Sequence, residues 1–413
     1  MRYLAPTAFP VGWRDVAAAL HPQADAMQQL RQILGARLGV PALYPVASGR
    51  TALALLLRTL AQTSMDTGAA SGSRREVLLP AYTCPSLIRV ILDAGLTPHL
   101  VDLEPERLTF APEDFAARIG SRTLAVIFVH PFGLALDVEP ILTATRAAGA
   151  ILIEDAAQAL GAQYGDRAVG TRGDFGIFST GPGKPLALGG GGYLSVNSAA
   201  ATGPGRAAVA RLDVAWQDLA TGGLIYAGWS VAKLALVGLL FHPWGWAIAA
   251  RAGIARAGDS DAGQGYAMRQ LTRGQAQAAR HMLEKWEATN RLRRANAAAQ
   301  MDALAAVPGF RFPARQIDRP EPGKSGSIYL RLPVLAADEA LRNRTVVALQ
   351  AQGIGAGKMY GVTLAERYPE LGVNPQVYPG ALRVAQCLFT LPTHHYVAAA
   401  DRERVAMILA TTT

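Results

Sequence analysis

The chain has 413 residues, of which 50% are hydrophobic and 17% charged, and its formal net charge is +9. This length is enough for a large buried core and favours two domains. The two cysteines, Cys84 and Cys387, are too few for a disulfide framework, and no cysteine or histidine spacing indicates a metal site. The arginines are scattered without interleaved aromatic residues, which argues against a nucleic-acid partner and favours phosphorylated substrates or an anionic membrane.

The first forty residues are predicted to be helical, because Val16, Leu20, Met27, Leu30 and Leu34 follow a helical register. A short extended piece at 44–47 follows them. The N-terminus lacks the apolar core and cleavage site of a signal peptide, so we expect a cytoplasmic protein.

From there to residue 179, apolar strands and helices alternate. After a helix at 51–61 and a loop at 63–75, the pattern predicts strands at 76–79, 97–101, 125–129, 150–154 and 175–179, with helices at 86–94, 112–119 and 138–148 between the first four. This alternation predicts an α/β fold with a mostly parallel sheet between helices. Ligands of such sheets bind at the carboxyl ends of the strands, where Asp155 and Ser179 fall.

The second half of the chain has a different pattern. Residues 224–250 are apolar, and Lys233 is their only fully charged side chain. A long helix at 270–304, a Pro- and Gly-rich stretch at 308–326, a strand at 327–332 and helices at 337–352 and 398–410 are predicted to follow. We therefore expect a large domain at 1–270, with an N-terminal helical arm and an apolar insertion near 224–250, and a smaller C-terminal α+β domain at 271–413.

Two residues of the central stretch, Asp155 and Lys184, carry the strongest chemical signal. Asp155 follows a predicted buried strand, and Lys184 stands in a loop between Gly183 and Pro185. Alone, the first is most simply a cap or turn residue and the second a solvated lysine. Together they match the needs of pyridoxal phosphate (PLP), because a lysine amine forms a Schiff base with its aldehyde and a carboxylate keeps its pyridine nitrogen protonated.

A third need of PLP is a site for its phosphate. The segment SGRTA at 48–52 opens a predicted helix with small residues, and helix N-termini bind anions. By itself this segment is an ordinary helix start. The run Gly189–Gly192 fits neither a P-loop nor a dinucleotide-binding loop, so it adds little alone.

Six motifs, taken together, resemble a known family. They are SGRTAL (48–53), LPAYTCPS (79–86), EDAAQALGA (154–162), GDFGIFS (173–179), GGGGYLS (189–195) and LPTHHY (391–396). In this order, with a lysine after the GDFGIFS-like strand, they resemble the DegT/DnrJ-type sugar aminotransferases, a group of fold-type I PLP-dependent enzymes. The similarity runs from about residue 44 to 197 and resumes near Gly265.

The resemblance implies roles around the cofactor ring. Lys184 would attach PLP and then move protons, Asp155 would pair with the pyridine nitrogen, and Gln158 would contact the ring or its 3′-oxygen. Tyr82 and Cys84 are both candidates for covering the other face of the ring. Because the lysine must be neutral to act, we expect burial to lower its pKa.

The resemblance also implies a phosphate site. Ser179 would join the backbone around Gly49, Arg50 and Thr51 in holding the phosphate, and Arg50 would add positive charge.

Two segments depart from the family pattern. Family members commonly carry an Asn that reaches the phosphate of a neighbouring subunit, whereas Ala267 stands near that place here. Arg269 is the candidate to replace this contact. The segment with the sugar-binding tail is altered too, and Tyr360 is its candidate substrate-binding residue.

The apolar segment 224–250 also differs from the family pattern. The stretch between Lys233 and Arg251 is at the lower limit for crossing a bilayer, and Pro243 would disturb a helix. Burial in the core or a dimer interface, an interfacial helix anchored by tryptophans, and a transmembrane span all stay open.

The resemblance implies a homodimeric, PLP-dependent aminotransferase. It would move an amino group from an amino acid, glutamate by resemblance, to a keto-sugar, often nucleotide-linked, or a related carbonyl substrate. One alternative is a sugar dehydratase or lyase of the same family, in which histidine tends to replace the lysine. Others are an aminotransferase for a lipid-linked or acyl-bearing ketone, peripheral to the inner membrane face, and a non-catalytic regulator that kept the fold.

Overall fold

The computed structural model describes residues 2–66, 74–201, 203, 205–253, 265–317 and 326–412. A seven-stranded sheet is its largest element, and its strands are β1 (Ala42–Val46), β2 (Glu76–Pro80), β3 (Thr97–Val101), β4 (Thr123–Val129), β5 (Ile151–Asp155), β6 (Phe175–Ser179) and β7 (Gly192–Val196). Their order across the sheet is β1-β7-β6-β5-β4-β2-β3. Within this sheet, β7 is antiparallel to both of its neighbours and the other pairs are parallel.

Helices connect and surround these strands. They are α1 (Trp13–Leu20), α2 (Ala26–Leu38), α3 (Gly49–Asp66), α4 (Ser86–Asp93), α5 (Pro112–Arg118), α6 (Glu139–Ala147), α7 (Arg206–Gln217), α8 (Leu224–Leu240), α9 (Pro243–Arg251), α10 (Arg273–Leu283), α11 (Trp286–Ala303), α12 (Pro313–Ile317), α13 (Glu339–Ala351), α14 (Leu364–Arg367), α15 (Pro379–Cys387) and α16 (Ala399–Thr412). The predicted α/β class with a mostly parallel sheet is confirmed.

The centre of the sheet brings two functional loops to one edge. Strands β5 and β6 are buried throughout, and their apolar runs lack the alternation of a half-exposed strand. Their register pairs Glu154 with Gly176 and Asp155 with Ile177, so their carboxyl ends lie side by side. The loops that follow β5 and β6 therefore leave the sheet at the edge where ligands bind.

A smaller antiparallel sheet lies in the C-terminal part of the chain. Its strands are β8 (Phe310–Arg311), β9 (Leu332–Ala336) and β10 (Leu388–Leu391), in that order. Helix α13 packs on β9, β10 and α16. The domain boundary between residues 270 and 271 stays a prediction.

The single helix predicted at 270–304 is wrong. A break at Glu284 and Lys285 divides it into α10 and α11. The two helices have different partners, since α10 packs on α1 and α2 whereas α11 packs on α16. The ammonium of Lys285 donates to the buried carboxylate of Asp15 (2.6 Å), which ties the break to α1.

The strand predicted at 327–332 is also wrong. The N–H of Ile328 donates to the carbonyl of Gly133 (2.8 Å) rather than to a neighbouring strand, and β9 begins only at Leu332. The segment is buried and apolar, as a strand would be, but its backbone bonds go to the turn Pro131–Gly133.

The apolar segment forms α8 and α9, which are bent by 92° where they meet. Among the described residues, no single helix has the length and composition to span a membrane, and this bent pair meets that test only when its two helices are taken together. Helix α8 packs on α1 and α10 and buries Ser230, Leu234 and Val237. A Cβ on Gly189 would lie 2.8 Å from the backbone of Lys233, so α8 rests directly on the loop after Lys184.

Candidate functional site

A cavity of about 590 Å³ lies at the carboxyl ends of β5 and β6. Lys184, Asp155 and the N-terminus of α3 form parts of its wall. A second cavity, of about 210 Å³, adjoins it and shares Cys84, Gln158, Lys184 and Tyr360. The larger volume is in the usual range for cofactor and small-molecule sites.

Lys184 is presented by a tight loop between β6 and β7. Its own N–H donates to the carbonyl of Gly181 (3.2 Å), and the N–H of Thr180 donates to Gly191 (2.9 Å) to close the loop. Gly183, directly before the lysine, has a φ of +72°, a conformation that a side chain would strain. The glycines around Lys184 therefore serve the path of the loop.

Burial shifts the pKa values of Lys184 and Asp155 in opposite directions. It lowers the pKa of the Lys184 amine, although electrostatic interactions with Cys84 and Asp155 oppose this. It raises the pKa of Asp155, although the N–H of Ala157 (3.0 Å) and the charge of Lys184 oppose this. A cationic ring nitrogen beside Asp155 would offset the energetic cost of its buried charge.

A buried pair, His130 and Glu154, supports the end of β5. The two side chains are bonded through Nε2 and Oε2 (3.0 Å), and Nδ1 of His130 accepts the N–H of Leu136 (3.3 Å). Burial by itself raises the pKa of Glu154, but the hydrogen bond and electrostatic interaction with His130, with the N–H groups of Gly173 and Gly170, lower it overall. Glu154 therefore stays ionised and joins β5 to the loop before β6.

The N-terminus of α3 forms another part of the wall of the larger cavity. Oγ of Ser48 accepts the N–H of Thr51 (3.0 Å) and so caps the helix. The lining residues in this part include Ser48, Gly49, Arg50 and Ser179. Thr51 is fully buried, and its hydroxyl donates to the carbonyl of Ala267 (2.9 Å). Its contact with a phosphate stays a prediction.

The two candidates for covering the ring lie at different depths. Cys84 lines both cavities. Tyr82 lies behind Tyr360, with its ring edge-on at 5.4 Å, and lines neither of the two. This placement favours Cys84 as the residue that covers the ring. The sequence left the choice open, because both residues belong to the motif LPAYTCPS (79–86).

Gln158 and Tyr360, which are far apart in the sequence, meet at the junction of the two cavities. Nε2 of Gln158 donates to the hydroxyl of Tyr360 (3.2 Å), and its Oε1 accepts the N–H of Phe132 (3.2 Å). Burial raises the pKa of Tyr360, so its phenol stays neutral. The pair can therefore present hydrogen bonds to a ligand in either cavity.

Arg269 lies beside the larger cavity and not in its lining. Its carbonyl accepts the N–H of Ala47 (2.9 Å), and its guanidinium stands 5.4 Å from the ring centre of Tyr226. Its role at a phosphate stays a prediction.

The lining also contains side chains that were not among the predicted site residues. Tyr226 and Lys233 of α8 reach the larger cavity, and Arg331 reaches the smaller one. Lys233 had a signal in the sequence, as the single full charge of an apolar segment. Arg331 had none, because the fold of its segment was itself mispredicted.

The sequence of the chain also matches a known protein family. Residues 21–204 and 248–410 match the model of the DegT/DnrJ/EryC1/StrS aminotransferase family. The chain belongs to this family. The resemblance inferred from the six motifs is thus confirmed. Residues 205–247, which include α7 and α8, are outside the family match.

Two curated relatives of the DegT/DnrJ/EryC1/StrS family match part of the chain. A UDP-N-acetyl-3-dehydro-alpha-D-glucosamine 3-aminotransferase of Acidithiobacillus ferrooxidans is 36% identical over 152 residues. A GDP-perosamine synthase of Vibrio cholerae is 33% identical over 153 residues. Each match covers 37% of this chain and 39% of the relative, so it spans less than half of either protein.

Solved structures share the fold along the whole chain. AtS13 from Actinomadura melliaura has a TM-score of 0.72 at 24% identity, with 100% of this chain and 99% of that chain covered. The putative sugar aminotransferase Spr1654 from Streptococcus pneumoniae, in its PMP form, has a TM-score of 0.75 at 18% identity, with 100% and 98% covered. At these identities, the likeness shows the fold alone.

Proposed function

We propose that this chain is a PLP-dependent aminotransferase that passes an amino group from an amino acid to a keto-sugar or a related carbonyl compound. The observation that carries the proposal is the position of Lys184, Asp155 and the N-terminus of α3 around one cavity of about 590 Å³. An amine, a buried carboxylate and an anion-binding helix end fit the aldehyde, ring nitrogen and phosphate of PLP. Membership of an aminotransferase family supports the same reaction.

The protein's own residues would divide the work as follows. PLP, when bound, supplies a ring that accepts electrons from the substrate's α-carbon. Asp155 would hold the proton on the ring nitrogen, and Lys184 would attach the cofactor and later carry a proton to and from the reacting carbon. The lowered pKa of Lys184 suits the second task, because only the neutral amine accepts a proton. Gln158, fixed by Tyr360, would orient the ring.

Arg331 supports an amino acid as the donor, and the choice of glutamate rests on the family resemblance. Arg331 lines the smaller cavity together with Lys184, and its Nε has no hydrogen-bond partner among the described residues. Burial lowers the pKa of Arg331 to about 10, so it stays charged at neutral pH. A guanidinium in this position suits the carboxylate of a donor, since such pairs form strong, oriented hydrogen bonds.

A nucleotide-linked keto-sugar is the proposed acceptor. The names of two relatives, one for a UDP-linked keto-sugar and one for GDP-perosamine, support it. The second candidate is a lipid-linked or acyl-bearing ketone. It is favoured by Phe241 and Trp246, which belong to the apolar segment 224–250 and line the smaller cavity beside Lys184.

The acceptor can be tested with enzyme loaded with pyridoxamine phosphate. Mixed with candidate keto-sugars and acyl ketones, the enzyme should recover the absorbance of its PLP form only with a true acceptor. We expect recovery with a nucleotide-linked keto-sugar. Recovery with acyl ketones alone would favour the second candidate, and a failure with every ketone would contradict the proposed reaction.

We also propose a cytoplasmic homodimer that contacts the inner face of the membrane through α8 and α9. The outward stripe of α8 consists of Ile225, Trp229, Leu236 and Leu239, which are 48–92% exposed. An ordinary surface helix has a polar outer face. Residues 219–253 contain no carboxylate, and the whole chain is basic, so anionic headgroups are the complementary partner. The family resemblance supports the homodimer.

Exchange of Trp229, Leu239 and Trp244 for glutamine tests the membrane contact. The native protein should float with phosphatidylglycerol vesicles more than with phosphatidylcholine vesicles, and the variant should lose this binding. A matched control exchanges the exposed Leu292 and Val347, which lie elsewhere. Equal flotation of variant and native protein would contradict the contact. A variant that instead turns from dimer to monomer in sedimentation would assign the stripe to the subunit interface.

A further inference from the structure

Helix α8 directs its one charged side chain inward. Lys233, the only fully charged residue of Leu224–Leu240, lines the larger cavity, whereas the exposed stripe of the helix is apolar. This is the reverse of the usual surface helix, in which charge faces water. The position of the Lys233 ammonium at the cavity therefore needs a physical explanation.

The ammonium of Lys233 lies at the part of the cavity wall formed by α3. A Cβ on Gly190 would be 3.7 Å from Nζ of Lys233 and 3.9 Å from the carbonyl oxygen of Ala47. The next residue, Gly191, donates its N–H to that oxygen (2.7 Å) and pairs with Ser48, the cap of α3. Lys233 therefore stands beside the turn that begins α3.

Lys233 has no carboxylate partner among the described residues. Burial is the one cause that lowers the pKa of its amine. Its nearest aromatic neighbour is Tyr226, whose ring centre is 5.9 Å from Nζ and which lines the same cavity. A half-buried cation without a counter-ion is unfavourable unless the cavity receives an anion.

We propose that Lys233 binds a phosphate group in this cavity, so that α8 completes the phosphate site begun by the N-terminus of α3. The inference rests on the proposed function, because the two sources of such a group there are PLP itself and the diphosphate of a nucleotide-linked acceptor. It gives the apolar insertion a role in the site: α8 contributes Tyr226 and Lys233 to the cavity wall, and Gly189 and Gly190 allow its close approach. An ammonium–phosphate contact of this kind is a charge-assisted hydrogen bond.

The test compares two ligands in two forms of the full chain. Fluorescence titration of the cofactor-free protein measures Kd for PLP and for pyridoxal, which lacks the phosphate. Calorimetry of the PLP-loaded protein measures Kd for UDP. If PLP is the source, K233M should weaken PLP binding by about 10- to 100-fold and leave pyridoxal unchanged, since hydrogen bonds to charged groups have this strength. If the acceptor is the source, UDP binding should weaken by a similar factor.

Two further variants control for charge and folding. K233R keeps the charge and should restore most of the lost affinity in the affected arm. R251Q removes an exposed charge from the neighbouring α9 and should change neither Kd. Unchanged binding of both PLP and UDP by K233M would overturn the inference and leave the proposed function intact. A native protein that binds no PLP would instead contradict the proposed function.

Discussion

At Lys184, the fold rather than the local sequence buries the amine and lowers its pKa. The residue is one lysine in a Gly/Pro loop, and its neighbours Asp155, Gln158 and Tyr360 come from two other segments. The matched motifs predicted Lys184, Asp155, Gln158 and Ser179 together at one site, and all four line the same cavity. The same reasoning did not predict Arg331 or Lys233, because their segments have no repeated pattern that ties them to the site.

The pKa of Lys184 predicts how cofactor attachment depends on pH. Burial lowers this pKa, so the neutral amine should form at a lower pH than in a solvated lysine, for which the pKa is about 10.4. The rate at which cofactor-free protein takes up PLP covalently should therefore rise with pH to a midpoint below that value. Because the charge of Asp155 opposes the shift, D155N should move the midpoint lower still. A midpoint at or above that of free lysine would contradict the burial of the amine.

The chain's two cysteines give an independent probe of the cavity. Cys84 is partly accessible and lines both cavities, whereas Cys387 is 1% exposed. Iodoacetamide should modify Cys84 first in the cofactor-free protein, and PLP should slow that reaction severalfold by occupying the space beside the thiol. Mass spectrometry of the two cysteine peptides measures this. If PLP leaves the rate at Cys84 unchanged, the ring does not lie against Cys84.

Among the elements, the central strands were predicted to within two residues, because buried parallel strands are short apolar runs between helices. The break between α10 and α11 was not predicted, since the helical pattern continues through Glu284 and Lys285 and only the packing partners change. The strand at 327–332 was wrongly predicted for a similar reason, because the sequence pattern does not show which partner the backbone bonds to. A buried apolar run looks alike whether its backbone bonds to a strand or to the turn Pro131–Gly133.

The contact between α8 and the lysine loop depends on Gly189. Its φ is +74°, and a Cβ would lie 2.8 Å from the backbone of Lys233, so G189A should lower the free energy of unfolding by about 2–4 kcal/mol. The matched control is Gly228, which lies in α8 with open space around it. Alanine at this position should stabilise the protein by about 0.5–1 kcal/mol. Urea unfolding measures both. Similar effects of the two substitutions would show that α8 does not rest on the loop.

At the scale of the whole molecule, Arg293 joins three distant parts of the chain. Its guanidinium is fully buried and donates to Ala8 in the N-terminal segment (3.0 Å), to Pro185 beside Lys184 (3.3 Å) and to Asn290 in α11 (2.9 Å). Nothing in the sequence singled out this arginine, because its importance lies in contacts across more than a hundred residues. It connects the lysine loop to the C-terminal half.

R293M tests this connection. The substitution keeps the apolar stem but leaves buried carbonyl groups without donors, so we expect a loss of about 2–4 kcal/mol in unfolding free energy. PLP should stabilise both proteins, and the cost of R293M should be equal or larger with PLP bound, because a loosened lysine loop binds the cofactor no more tightly than the native loop does. Urea unfolding with and without PLP gives both values. Native-like stability of R293M would contradict a role for Arg293 in holding the halves together.

We propose that Lys184 carries the cofactor, and chemical reduction tests this attachment most directly. The chain has only five lysines, and two of them, Lys184 and Lys233, line the same cavity. Borohydride treatment of the PLP-loaded protein fixes PLP to the lysine that holds it, and peptide mass spectrometry then identifies that residue. We expect the adduct on Lys184 in the native protein and none at this site in K184A. An adduct on Lys233, or none on any lysine, would contradict it.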